Sequence, residues 1–227
     1  MQIRMPHSRG LLTPAQREIL QAFQLLPDAQ RFYLTGGTAL SEFYLGHRRS
    51  FDLDLFTTEQ RLVLPFSRIV EQRFAQGFAV RVIRRLESFV EFELGWQGET
   101  VRVQLAYDSP YRFAPPHQTP LGWVNDFQDL IVDKVLAFFG RAEPRDAVDL
   151  FVILETEDLE ELTRLALQKD PGFDLYWFAQ ALQKTQEFPD EVGRWPVELV
   201  RPLDPKQLKK RFQEIALEIM AKLHPRS

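Results

Sequence analysis

Residues 31–56 read RFYLTGGTALSEFYLGHRRSFDLDLF, and the pattern of hydrophobic and polar residues changes several times within this short span. A β-type run stops at a glycine pair, a helical pattern follows and ends at Gly46, and an alternating run comes next. A glycine directly after a helix takes the left-handed conformation that ends many helices. The stretch therefore predicts a strand, a turn, a helix and a second strand at 31–35, 36–37, 38–45 and 51–56.

The regions on either side of this stretch differ from each other. A helix, 15–26, precedes it, and the helix and strands that follow it are 65–76, 79–86, 88–96 and 99–107. Gln97-Gly98 predicts a hairpin turn between the last two strands. Helical periodicity then dominates the chain, at 126–139, 145–154, 157–169, 173–184 and 205–223. The stretch 188–205, with four prolines, is a linker candidate. The sequence predicts an α+β domain over 1–120 and a helical C-terminal region over 121–227.

Composition narrows the function classes. The 227 residues are 44% hydrophobic and 26% charged, which is typical of a folded globular protein. There is no Cys and there are four His, so disulfides and thiolate chemistry are excluded and a zinc enzyme is disfavoured. A net charge of −4 argues against indiscriminate nucleic-acid binding. No apolar run is long enough to cross a membrane and residues 1–14 do not resemble a secretory signal, so we expect a cytoplasmic protein.

Two short motifs in the opening stretch carry the candidate chemistry. Gly36, Gly37 and Thr38 join a strand to a helix, where free backbone N–H groups favour a phosphate, although a plain tight turn has the same sequence. Asp52 and Asp54 share one face of the predicted strand, while Phe51, Leu53 and Leu55 face the core. Two neighbouring carboxylates repel each other unless a cation lies between them, and Mg²⁺ held by carboxylates and substrate phosphates suits such a pair.

Three charged residues of the C-terminal region stand out. Lys134 lies in the apolar stripe of its predicted helix, where it either extends from the edge of the core or directs an ammonium at a phosphate. Asp146 and Asp149 lie on one side of the start of the next helix. They either favour the helix dipole there or hold Lys134 and contribute to a site.

Three segments together resemble a known family. GGTAL (36–40), RRSFDLDLF (48–56) and DLIVDKVLAFFGRAEPRDAVDL (129–150) are similar, in this order, to motifs of the AbiEii/AbiGii toxin family of nucleotidyltransferases. That family belongs to the DNA polymerase β-like nucleotidyltransferase superfamily. The resemblance covers about residues 30–155. It implies a mixed β-sheet flanked by helices, with a helical C-terminal part that closes a cleft.

The resemblance also implies site residues and partners. The phosphate-binding turn of the family matches Gly36, Gly37 and Thr38, and its metal carboxylates match Asp52 and Asp54, with Arg49 and Ser50 at the positions before them. Its phosphate-contacting lysine matches Lys134. Its closing acidic motif matches Asp146 and Asp149. We expect Arg49 to face triphosphate or an acidic partner, although a solvated basic turn would explain Arg48 and Arg49 as well. The implied cofactor is Mg²⁺ or Mn²⁺, the substrate an NTP, the acceptor an RNA or protein hydroxyl, and the further partner an antitoxin.

One position departs from the superfamily pattern. A third carboxylate is usual on a neighbouring strand, where this chain has Gln104. A glutamine carbonyl can coordinate a metal but cannot neutralise it. Asp108 lies too far along the same strand to replace that carboxylate. The leading prediction is thus a Mg²⁺-dependent nucleotidyltransferase toxin, and the alternative is a nucleotide-binding or partner-binding protein of the same fold with impaired catalysis.

Overall fold

The strands of the chain form one mixed sheet. A computed structural model describes residues 4–223, and within them the sheet has seven strands in the order β3-β4-β5-β2-β1-β7-β6. Strand β2 runs antiparallel to β1 and parallel to β5. The strands are β1 (Tyr33–Thr35), β2 (Leu53–Thr57), β3 (Ala79–Arg85), β4 (Phe89–Trp96), β5 (Glu99–Tyr107), β6 (His117–Thr119) and β7 (Gly122–Val124).

Helices make up much of the rest of the described chain, which confirms the predicted α+β class. Helix α2 continues directly into a π-helical turn, Ser41–Leu45. The helices are α1 (Pro14–Gln24), α2 (Gly36–Leu40), α3 (Gln60–Phe74), α4 (Phe127–Arg141), α5 (Pro144–Ile153), α6 (Leu159–Lys169), α7 (Leu175–Lys184) and α8 (Pro205–Leu223).

The chain divides into two compact units, and the boundary falls inside α4. The first unit ends at Leu130 and contains the whole sheet, and the second begins at Ile131. The division predicted from the sequence, into an α+β domain over 1–120 and a helical region over 121–227, stays a prediction.

The core of the first unit lies on one face of the sheet. Along β2, Leu53 and Leu55 are buried while Asp54 between them lies on the opposite face. The rings of Phe23, Phe32 and Phe66 contact one another, with centroid distances of 4.5–5.9 Å. Helices α1 and α3 therefore cover the apolar face, and the face that carries Asp54 is free to be polar.

The hairpin between β4 and β5 follows its predicted turn chemistry. Trp96 pairs with Glu99, so the loop has two residues. Both of them, Gln97 and Gly98, have positive φ angles of 46° and 86°. A two-residue loop with two positive φ angles matches the right-handed twist of the strands it joins.

Helix α3 begins earlier than the sequence predicts. The predicted helix, 65–76, has Pro65 as its first residue. The helix in fact begins at Gln60 and includes Pro65. Val63 and Phe66 are fully buried, so the first turn is held by packing despite the hydrogen bond that the proline removes. The prediction also missed β6 and β7, which are three residues each and too short for a periodic pattern.

The proline-rich stretch 188–205 was predicted as a linker, and this prediction was wrong. It packs inside the second unit, where Trp195 is buried and its indole N–H donates to the carbonyl of Pro189 at 2.9 Å. The ammonium of Lys209 on α8 donates to the Phe188 carbonyl and pairs with Asp190. A buried tryptophan and a cation that binds the backbone fix this segment, although its composition is typical of a loop.

In the part of the chain that the structure describes, no helix combines the length and the apolar character that a bilayer requires.

Candidate active site

The glycine pair after β1 begins helix α2, where the sequence predicted a separate turn, and this glycine turn lies directly against one of the predicted metal carboxylates. Gly36 has a φ of +69°, in the left-handed region that favours glycine. A Cβ atom at Gly36 would lie 2.0 Å from Oδ2 of Asp54. Because Asp54 pairs with Thr35 across β1 and β2, the carboxylate lies beside the turn. Only a residue without a side chain allows this close approach.

The second glycine is covered by two polar side chains from the segment before β2. A Cβ atom at Gly37 would lie 2.6 Å from Nη2 of Arg48 and 2.8 Å from Oγ of Ser50. The guanidinium and the hydroxyl therefore approach the turn closely. Arg48 is buried, and its Nη1 donates to the carbonyl of Arg49 at 3.0 Å. Ser50 was predicted at this site from the sequence.

Arg48 is the residue that sequence reasoning missed. The sequence predicts Arg49 as a substrate-binding residue, and the guanidinium that lies next to Gly37 is that of its neighbour Arg48. The Arg49 guanidinium donates to the carbonyl of Leu11 at 3.3 Å, and its contact with a triphosphate stays a prediction. Adjacent residues leave a chain in different directions, so the Arg-Arg pair did indicate a cation near the turn but not which of the two it is.

Thr38 connects the turn to the other predicted carboxylate. Its hydroxyl donates to the main-chain carbonyl of Asp52, and the residue is buried. This bond holds the helix after the glycine turn against the chain that enters β2. Thr38 therefore fixes the distance between the two motifs.

Strand β2 begins at Leu53, later than predicted, so Asp52 immediately precedes it. Phe51 was expected in the core and is 50% exposed, so that part of the prediction was wrong. The strand begins late because main-chain carbonyls of residues before Leu53 accept hydrogen bonds from side chains of helical residues. Gln16 of α1 donates through Nε2 to the carbonyl of Ser50 at 2.9 Å, as Thr38 does to Asp52. Bonds of this kind replace the strand ladder.

A row of polar residues crosses the sheet from Asp54. The register pairs Asp54 with Gln104 on β5, and Gln104 with Glu91 on β4. Paired residues point to the same face, so Gln104 lies beside Asp54. The next carboxylate in this row is that of Glu91, which contacts Nε of Arg102 at 3.2 Å. Asp108 accepts a hydrogen bond from the Tyr33 hydroxyl at 2.5 Å.

The donor set suits a hard divalent cation completed by substrate. Among residues 4–223, no group of three or more acidic or histidine side chains forms a metal site by itself. Asp52 and Asp54 provide two carboxylates, and Asp54 faces the turn at which phosphates would bind. Mg²⁺ is commonly held by one or two carboxylates together with substrate phosphates. The residues present therefore fit Mg²⁺ bound with a nucleotide.

The second unit contains the other predicted site residues, and they form a buried ion cluster. Lys134 on α4 is 7% exposed, and its ammonium lies 2.8 Å from Asp149 and 3.8 Å from Asp146 on α5. Arg141 also binds Asp146 through two nitrogens, at 2.5 and 2.8 Å. The prediction that an aspartate holds Lys134 agrees with this geometry. Arg141 was not predicted.

Comparison with known proteins identifies the family to which this fold belongs. The sheet, with its glycine turn against a carboxylate strand, has the fold of the nucleotidyltransferases. The model of a protein family described as nucleotidyl transferase AbiEii toxin, type IV TA system, matches residues 18–226. The chain therefore belongs to the AbiEii nucleotidyltransferase toxin family, as its three motifs predicted.

Individual relatives agree in fold. The chain is similar to MenT4, a nucleotidyltransferase toxin from Mycobacterium tuberculosis H37Rv, with 20% identity and a TM-score of 0.61 over 91% of this chain and 82% of that one. It is also similar to JHP933 from Helicobacter pylori, with 18% identity and a TM-score of 0.56 over 91% and 89%. An uncharacterized protein of Aquifex aeolicus (strain VF5) is 28% identical over 185 residues, 80% of this chain and 86% of its own.

Proposed function

We propose that this chain transfers a nucleoside monophosphate group from an NTP to a hydroxyl acceptor, with Mg²⁺ or Mn²⁺ as cofactor. The observation that carries the proposal is the contact between Gly36 and Asp54. Phosphates bound at the turn would lie next to a carboxylate that can share a metal ion with them. Positioning and neutralisation of charge are most of what phosphoryl-type transfer requires from a protein.

Each residue of the first unit has a distinct part in the proposal. Backbone N–H groups at Gly36 and Gly37 bind phosphate oxygens, and Asp52 and Asp54 hold the metal ion, which when bound supplies Lewis-acid activation of the transferred phosphate. The guanidinium of Arg48 beside Gly37 places a positive charge at the turn. Arg49 and Ser50 complete the triphosphate contacts.

The residues of the second unit enter the proposal through the family resemblance. Lys134 contacts a phosphate oxygen, Asp149 orients its ammonium, and Asp146 completes the acidic motif. Two carboxylates beside one ammonium fix the direction in which it points. The role of residues 121–227 in closing a cleft stays a prediction.

We assign the biological role at the level of the family. The acceptor is an RNA or a protein hydroxyl, and the transfer acts in the cytoplasm as a growth-arresting toxin restrained by a cognate antitoxin. The description of the matching family model, a nucleotidyl transferase toxin of a toxin–antitoxin system, supports the toxin role and the existence of an antitoxin.

The test uses labelled NTPs. Each of the four is incubated with Mg²⁺, the full-length protein and cellular RNA or protein, and label transfer is measured. We expect transfer to fall by about 100-fold or more in Asp52→Asn and Asp54→Asn, since each loses a metal-binding charge. Asp28→Asn is the matched control, because Asp28 is a half-exposed aspartate that pairs with Arg31. Transfer that persists in both site variants contradicts the proposal.

Gln104 favours a second candidate function. Its neutral amide lies beside Asp54 where the superfamily usually has a carboxylate. A protein with this substitution could bind nucleotide without turnover, as a nucleotide-binding or partner-binding module. NTP binding by calorimetry, together with no label transfer to any acceptor fraction, would support this candidate over the enzyme.

A further inference from the structure

The carboxylate of Glu42 is buried far from water, on the π-helical turn that follows α2. The residue is 1% exposed. Its oxygens accept three hydrogen bonds, from the Ser8 hydroxyl at 2.5 Å, the Gly10 N–H at 3.2 Å and the Leu11 N–H at 2.5 Å. A buried carboxylate is tolerated only when it is well hydrogen-bonded. All three of these donors belong to one short segment, residues 8–11.

Other polar bonds hold the same segment, among them one from Nη2 of Arg9 to the Tyr44 carbonyl at 2.8 Å. Residues 7–10 are exposed and have no regular secondary structure. Main-chain bonds from His7 to the Phe43 carbonyl and from Arg9 to the Glu42 carbonyl add to the contacts, both at 2.8 Å. Because residues 7–10 are exposed, the position of the segment depends on these polar bonds, and the Glu42 side chain accepts three of them.

The segment in turn contacts the candidate active site. The Leu11 peptide is bonded at both ends: its N–H donates to Glu42, and its carbonyl accepts a hydrogen bond from Nη1 of Arg49 at 3.3 Å. Leu11 therefore bridges the helix after the glycine turn and the segment before the carboxylate strand. Residues 8–11 precede the region that the family model matches, which begins at residue 18.

We propose that Glu42 is a positioning residue of the nucleotide site, which holds Arg49 in place through the Leu11 peptide. The inference rests on the proposed function, in which Arg49 contacts the triphosphate. Glutamine at position 42 has nearly the same shape but directs an N–H₂ group at N–H donors. The segment is then released, and Arg49 loses the carbonyl that orients its guanidinium.

The experiment is a double-mutant cycle on the full-length protein, with Glu42→Gln, Arg49→Ala and the double variant. We expect the KM for NTP to rise about tenfold in Arg49→Ala and about fivefold in Glu42→Gln, with kcat changed less than about twofold. In the double variant the KM should equal that of Arg49→Ala alone, because Glu42 acts through Arg49. Glu87→Gln, at an exposed glutamate of the same unit, is the control.

Hydrogen exchange supplies the second readout. The amides of Gly10 and Leu11 should exchange about tenfold faster in Glu42→Gln and unchanged in Glu87→Gln. If Glu42→Gln does not fold, Ser8→Ala replaces it, because Ser8 is exposed and supplies one of the three donors. Additive KM effects, or unchanged exchange at Leu11, overturn the inference, while label transfer from NTP by the wild type upholds the proposed function. A wild type that binds no NTP overturns the proposed function itself.

Discussion

At the scale of single residues, Gly36 shows why the turn needs glycine. Its positive φ is a local requirement that the sequence already suggested. The space around it is a separate requirement, because the Asp54 carboxylate occupies the volume in which a Cβ would lie. Gly98 has a similar positive φ of +86° but open space around it. A comparison of substitutions at these two glycines therefore distinguishes the effect of backbone strain from the effect of contact with Asp54.

Gly36→Ala should impair nucleotide binding more than stability. Backbone strain at a positive φ costs about 1–2 kcal/mol, and the new methyl also displaces Asp54. We expect the affinity for a Mg²⁺–NTP complex, measured by calorimetry, to fall about tenfold or more. Gly98→Ala should lose a similar free energy of unfolding but bind nucleotide as the wild type does. Equal nucleotide affinity in the two variants would exclude the contact with Asp54 as a binding determinant.

At the scale of elements, the order of the strands decides which side chains are neighbours. Alternation along a strand predicts that Asp54 and Gln104 each lie on a polar face, but not that the two strands are adjacent. The sheet places β5 between β2 and β4, so Gln104 lies between Asp54 and Glu91. A neutral residue at the middle of this row limits repulsion between carboxylates.

Gln104→Glu tests whether this row is part of a cation site. Without divalent metal, a third carboxylate in the row should lower the free energy of unfolding by about 1 kcal/mol, which for a chain of this size lowers Tm by about 2–4 °C. Mg²⁺ should restore Tm more in this variant than in the wild type. Gln118→Glu, on an exposed position of β6, is the control and should not respond to Mg²⁺. A Mg²⁺ response that is the same in both variants contradicts a metal site beside Gln104.

At the scale of the whole molecule, buried phenols link the stability of the first unit to pH. Burial, reinforced by the charge of Asp126, raises the pKa of Tyr44 well above its usual value near 10. Its hydroxyl donates to the carbonyl of Asn125 at 2.9 Å. Burial and the neighbouring carboxylate of Asp108 raise the pKa of Tyr33 in the same way. Both phenols are neutral in the folded protein at pH values where those of the unfolded chain ionise.

Tyr44→Phe should therefore reduce the alkaline sensitivity of the protein. A pKa raised by folding stabilises fully below about pH 10, the value in the unfolded chain, and this contribution is lost as pH rises above it. The wild type should lose up to about 1.4 kcal/mol per pH unit more than the variant above pH 10. Urea unfolding between pH 8 and 11 measures both slopes. Tyr176→Phe, at an exposed tyrosine, should keep the wild-type slope, and a Tyr44→Phe slope equal to it would contradict the prediction.

The amino-acid sequence by itself determined most of the helices and the longer strands, and the alternation of β2 that separates Asp54 from Leu53 and Leu55. Helix α8 has the predicted bounds, the β4–β5 hairpin turns at Gln97-Gly98, and the motifs identified the family. Helix caps, turn residues and hydrophobic periodicity each depend on a few neighbouring residues, so they can be recognised in a single sequence.

Only the tertiary structure decided which of these residues meet. It places Arg48 rather than Arg49 against Gly37, brings Asp54 to Gly36, and connects Glu42 to Leu11. Such contacts join residues that are distant in the chain, and they depend on strand order and on the way buried polar groups find partners across the whole unit. Local sequence patterns do not specify these contacts, because each contact depends on how all the other elements of the unit pack.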